Sequence, residues 1–171
     1  MKEIKGNLFD HIGSADAICI TTNGFVKNNG ECVMGKGCAK KATYLFPTIA
    51  HKLGTLIGVK GNIPIALFHK NKTWIYSFPV KPISDIFDGN NAVRHMKYKF
   101  KIGQSIPGWA CVAAPALIKQ SAKLLTAFID TTNWTDIIIP RPGCGAGELN
   151  WATIKPMLDQ YLDDRFSSIT F

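Results

Sequence analysis

Apolar residues in this chain fall into short runs separated by glycine, proline and polar turns, and the spacing within each run assigns it to strand or helix. "ADAICITT" (15–22) is short, apolar and β-leaning, the pattern of a buried strand. Residues 24–35 read as a polar loop, and 36–46 as a helix ended by Pro47. "IPIALFH" (63–69) and "KTWIYSF" (72–78) flank a His-Lys-Asn-Lys turn and read as consecutive strands. Residues 82–110 are broken by Pro82, Gly89, Gly103, Pro107 and Gly108, with 90–101 left as a helical candidate. Apolar positions three and four apart make "PALIKQSAKLLTAFID" (115–130) an amphipathic helix. "TDIIIP" (135–140) is a buried strand, 141–150 a second glycine loop, 151–164 a helix and 167–171 a closing strand.

Strands alternating with helices predict an α/β fold in three layers, α/β/α. Both glycine loops, Gly35-Lys36-Gly37 and 143–147, fall at strand-to-helix junctions. In such sheets ligands bind beyond the carboxyl ends of the strands, beside helix N-termini, so the two loops are expected to line one cleft.

A length of 171 residues suits one α/β domain. With 46% hydrophobic and 19% charged residues the chain is a folded globular protein. No apolar run is long enough to span a bilayer, so no membrane partner is expected. "MKEIKGNLFD" has no apolar secretory segment behind its charges, and the expected compartment is the cytoplasm. The five cysteines are odd in number and form no CxxC pair, and the four histidines form no HxxxH pair. No metal, disulfide or cofactor is therefore expected. The net charge of +8 points to an anionic partner or to a solubilising surface. One denser run, "RHMKYKFK" (94–101), interleaves cations with aromatics; it reads either as a nucleic-acid face or as a solvated edge.

Neither glycine loop has a Walker A frame, and "GCGAGEL" follows a late strand rather than opening a dinucleotide fold. Each offers backbone N–H groups and a helix dipole without Cβ atoms in the way, which suits phosphate; two such loops side by side suit a diphosphate.

Together with their neighbours, "GNLFD" (6–10), "ADAICITTNG" (15–24), "VMGKGCAKKA" (33–42) and "PRPGCGAGELNW" (140–151) resemble the macro domain, a module that binds ADP-ribose. The likeness is to the branch with the terminal ADP-ribose protein glycohydrolase, the ADP-ribose-1″-phosphate phosphatase and the DNA ADP-ribosyl glycohydrolase antitoxins. There the first loop reads like VMGKGIA and the second like GCGxGGLDW. The resemblance implies a three-layer fold with a central mixed sheet over residues 1–171, with 82–114 a lineage-specific insertion. It further implies that Val33, Met34, Gly35, Lys36, Gly37 and Cys38 wrap the distal ribose and part of the diphosphate. Pro142, Gly143, Cys144, Gly145, Ala146 and Gly147 would cradle the diphosphate from the other side. Asn23 would contact the distal ribose, with a structural role in its turn as the competitor. Asn7 and Leu8 would face adenine; Asn7 stands where many members carry Asp, and a neutral carbonyl is a weaker acceptor for the adenine amino group. Phe171 would stack on adenine or simply end the core. The loop after Asn23, "GFVKNNGEC", is longer than usual.

"SFPVKP" (77–82) resembles the segment in which this branch places a reactive lysine, and the match falls on Lys81. A neutral amine there would attack the anomeric carbon; a charged one would stabilise the leaving group. Where the protein glycohydrolase has Asp, this chain has Gly147, with Glu148 next to it as the candidate acid/base or as an ordinary acidic residue near a helix start. The resemblance thus implies an ADP-ribose-binding domain that removes ADP-ribosyl groups from a macromolecule. The alternatives are a reader or scavenger without turnover and an ADP-ribose-1″-phosphate phosphatase.

Overall fold

The computed structural model describes residues 1–170. Strand β1 (Lys2–Lys5) and a 3-10 turn at Leu8–His11 precede β2 (Ala17–Thr22). Helices α1 (Gly37–Leu45) and α2 (Ile49–Lys60) follow, then β3 (Ile65–Lys70) and β4 (Thr73–Pro79). Short strands β5 (Ser84–Ile86) and β6 (Ser105–Pro107) pair with each other apart from the main sheet. Helix α3 (Pro115–Ile129), β7 (Ile137–Pro140), α4 (Trp151–Leu158) and β8 (Phe166–Thr170) complete the order.

The main sheet runs β1-β8-β7-β2-β4-β3, parallel except for the antiparallel β3, so the expected α/β class with a mixed sheet is found. Side chains of β2 alternate between the two faces. Ile18 and Ile20 join Ala42, Ile49, Leu53 and Ile57 of α1 and α2. Ala17 and Cys19 join Ile118, Ala122, Leu125 and Ile129 of α3, with Ile154 and Leu158 of α4. Helices on both faces bury both surfaces of the sheet, which is why the strands read as continuous apolar runs. Each large side chain buried this way contributes about 1.5–3 kcal/mol.

Two elements carry no sequence reading, and two depart from theirs. Strand β1 is an edge strand of four residues with only Ile4 turned partly inward, so it carries no readable period. Helix α2 has its apolar positions at 49, 53 and 57 but contains Gly54 and Gly58, which disguise it as loop. Residues 90–101 form no α-helix; a single 3-10 turn, Lys97–Lys99, is all that appears. The helix expected over 151–164 stops at Leu158 and contains Pro156, which has no N–H to give the Ala152 carbonyl.

Residues 82–114 hold together through two small clusters, Phe87, Ala92, Ile106 and Cys111 in one, Val93, Met96 and Ala110 in the other, with Phe100 against both. At Gly108 a Cβ would stand 1.7 Å from the carbonyl oxygen of Pro82, so only glycine lets this segment close onto the end of β4.

Candidate functional site

Strands β2 and β4 run in parallel register to Thr22 opposite Pro79. Beyond them the Val80 and Lys81 N–H groups both donate to the Thr22 carbonyl, at 2.9 and 3.4 Å. The chain therefore leaves β2, β4 and β7 at one edge, and there a cleft of about 390 Å³ opens, a volume typical of small-molecule sites. Thr21, Thr22 and Asn23 form its floor with Val80, Lys81, Pro140 and Arg141. Val33 through Ala39 form one side, and Gly143, Gly145, Ala146 and Gly147 the other. Both glycine loops face one cavity, and α1 points its N-terminal turn into it, where the first N–H groups have no partner inside the helix.

A third wall comes from Val93, His95, Met96 and Trp109 of the irregular segment. Of these, His95 had a sequence signal only as part of the basic run. The other three are apolar residues in a stretch without periodicity, and nothing in the sequence marks them as a wall. His95 Nε2 stands 3.4 Å from Lys36 Nζ, so the first loop and this wall meet across the cavity.

Lys81 is only 7% exposed. Its Nζ donates to the carbonyl oxygens of Ala146 (2.8 Å) and Trp109 (3.3 Å), and its own carbonyl accepts from Asn62 Nδ2 at 3.0 Å. Among the described residues no carboxylate pairs with it. Burial lowers its pKa to about 8; nearby Lys36 adds to the lowering, while Cys111 and Glu148 act the other way. Among the described residues lining the cleft there is no Asp or Glu.

The other candidates from the sequence divide. Asn23 lines the cleft, yet its side chain is engaged in closing the loop: Nδ2 donates to Val33 O at 2.6 Å and Oδ1 accepts from Phe25 N at 2.9 Å. Cys38 lines it too, with Sγ 3.3 Å from Thr21 Oγ1 and a thiol pushed up by burial, so it is no nucleophile. Cys144 and Pro142 are not in the lining; the Cys144 thiol is turned to the Pro142 carbonyl. Leu8 is core, 4% exposed. Asn7 opens instead on a separate depression with Phe9, Asp10, Ile12 and Tyr44. Its Nδ2 donates to Asp10 at 2.7 Å, and its Oδ1 has no partner among the described residues. Glu148 is exposed and outside the lining, and both its oxygens accept from the Arg94 N–H. The place of Phe171 lies outside the described residues. The second loop does not run straight into a helix: α4 begins only at Trp151, capped by Asn150, whose side chain accepts from Ala152 N at 2.9 Å.

Among the described residues no group of three His, Cys, Asp or Glu side chains is placed to hold a metal ion, and no helix is long and apolar enough to cross a membrane.

No protein-family model and no curated protein sequence matches this chain. Solved structures do. The macrodomain of Thermus aquaticus DarG superposes with a TM-score of 0.69 at 18% identity, over 99% of this chain and 97% of that one. The macrodomain of Mycobacterium tuberculosis DarG gives 0.68 at 18% identity, over 98% and 95%. Thermosipho africanus DarTG in complex with ADP-ribose gives 0.68 at 17% identity and covers 98% of this chain, which spans 41% of that longer protein. The fold is that of macrodomains.

Proposed function

We propose that the chain binds ADP-ribose in this cleft and hydrolyses an ADP-ribosyl linkage on a macromolecule, with Lys81 as the reacting amine. The observation that carries the reading is a buried lysine, without a carboxylate partner among the described residues, lodged in a cleft walled by two glycine loops. A similar fold, Thermosipho africanus DarTG, was solved with ADP-ribose, which supports the choice of ligand. The diphosphate takes the α1 N-terminus and the N–H groups of the second loop, with Lys36 and Arg141 as the cations at hand. The distal ribose then lies towards Asn23 and Lys81. Residues 82–114 are an addition to the domain that walls the cleft.

With a pKa of about 8, roughly one Lys81 in ten is neutral at pH 7. Its lone pair adds to C1″, the bond from C1″ to the leaving group breaks, and the leaving group takes the proton shed by the amine. Opening of the sugar ring gives a Schiff base; water adds to its carbon, the amine departs, and free ADP-ribose is released. The test is Lys81→Ala. Release of ADP-ribose from a modified oligonucleotide or protein should fall by at least about a hundredfold while affinity for free ADP-ribose stays within about threefold. A loss of affinity without loss of rate would make Lys81 a ligand contact.

Two further readings rest on specific observations. A cleft lining without Asp or Glu suits a reader that binds without turnover, and equal release by wild type and Lys81→Ala would favour it. For the macromolecule, Arg94, Lys97, Lys99 and Lys101 follow the cleft wall, none in an ion pair among the described residues, with Tyr98 80% exposed between them. That arrangement suits a single-stranded nucleic acid. Neutralising all four should flatten the salt dependence of oligonucleotide binding by about three units in the log–log slope, and an unchanged slope would return them to ordinary surface.

A further inference from the structure

Glu148 occupies a backbone conformation that its residue type disfavours. Its φ is 61°, in the left-handed region, in a loop that uses glycine freely. Glycine stands at 147 for a different reason: a Cβ there would lie 2.5 Å from Gly143 O and 2.6 Å from Ala113 Cβ. So the loop places glycine where space demands it, yet keeps a glutamate where the backbone itself favours glycine. Strain held in this way calls for a compensating role of the side chain.

The carboxylate supplies one. Both oxygens lie 3.1 Å from the N–H of Arg94, a residue 54 positions away in sequence. Arg94 sits between Val93 and His95, which wall the cleft. Its two neighbours in the loop make parallel ties. Gly147 O accepts from Ala113 N at 2.9 Å, and Ala146 O accepts from Lys81 Nζ at 2.8 Å. Gly147 and Glu148 thus hold the 82–114 segment at two places, while Ala146 next to them holds Lys81 on the cleft floor.

We propose that Glu148 is a positioning residue of the cleft. Through the Arg94 backbone it fastens the 82–114 wall to the second glycine loop, and so fixes the Ala146 carbonyl against Lys81. This rests on the ADP-ribose reading. An ionised carboxylate is a strong acceptor for a backbone N–H. The amide oxygen of glutamine accepts as well, alanine does not, and glycine fits the φ while giving up the acceptor.

The experiment measures Arg94 amide exchange by NMR and ADP-ribose affinity by calorimetry in wild type, Glu148→Gly, Glu148→Ala and Glu148→Gln. Because glycine suits the backbone, Glu148→Gly should fold at least as well as wild type. It should exchange the Arg94 amide about tenfold faster and bind ADP-ribose about tenfold more weakly, as Glu148→Ala should. Glu148→Gln should restore both, and turnover with them. Unchanged Arg94 exchange in the glycine variant overturns the tie. Faster exchange with unchanged affinity overturns the positioning role while the ADP-ribose reading stands. A Glu148→Gln variant that binds normally but loses turnover makes Glu148 a proton-transfer group and overturns the proposal. Wild-type protein that fails to bind ADP-ribose overturns the ligand reading, and this inference with it.

Discussion

Replacing Lys81 by Met tests the electrostatics of the site independently of any ligand. Methionine has nearly the length of lysine and no charge, so the substitution removes a buried ammonium and keeps most of the packing. In the folded protein burial lowers the Lys81 pKa to about 8, from an ordinary lysine value of 10.5. The folded state thus disfavours the charged form, and the unfolded chain binds more protons between those two values. Stability from this group therefore rises with pH across that window. Below pH 8 the penalty is fully present; it is about 3 kcal/mol at pH 7 and about 1 kcal/mol at about pH 9.5. The hydrogen bonds to Ala146 and Trp109 can be donated by the neutral amine as well as the ammonium, so losing them subtracts a similar amount at either pH. Urea unfolding of wild type and Lys81→Met at both pH values reads the difference, and all other titrating groups cancel. The variant should gain on wild type at pH 7, and the gap should close by about 2 kcal/mol at about pH 9.5. A gap that does not change with pH would mean that Lys81 is solvated or paired in solution, and the argument for a neutral amine would fail.

Other consequences follow from the loops. Gly147→Ala forces a Cβ to 2.5 Å from Gly143 O and should cost about 1–3 kcal/mol in urea unfolding, whereas Gly145→Ala, with nothing within 4 Å, should stay within about 0.5 kcal/mol; equal effects would refute the close approach. Asn7→Asp replaces a donor by a second carboxylate 2.7 Å from Asp10 Oδ1. It should lower the unfolding midpoint at neutral pH by about 2–4 °C, and recover in acid as one of the pair is protonated; a higher midpoint at neutral pH would refute the pairing.

The elements legible in the sequence are those whose pattern and environment agree. Buried β2 and β7 read as apolar runs, and α3 as an amphipathic helix opened by Pro115, because each faces a core on the side its pattern indicates. The two glycine loops were legible as partners in one cleft since strand-to-helix connections of a parallel sheet gather at one edge. Helix α2 was hidden by Gly54 and Gly58, and β1 by its exposed charged residues. The wall formed by Val93, Met96 and Trp109 had no local signal, because its order comes from small clusters joined across the segment. Asn7 and Glu148 make contacts that no local pattern shows: Asn7 engages Asp10, and Glu148 engages Arg94, 54 positions away. Lys81 was placed by the motif, but its burial and its two carbonyl partners emerge only when residues 109 and 146 are brought over it.

The central claim is that both glycine loops serve one ADP-ribose. Calorimetry of the intact chain with ADP-ribose, AMP and ribose 5-phosphate tests it most directly. The account predicts micromolar affinity for ADP-ribose, about −8 kcal/mol, with far weaker binding of either fragment, because only the whole ligand engages both loops. Absence of binding at millimolar ADP-ribose, or a fragment that binds as tightly as the whole, would contradict it.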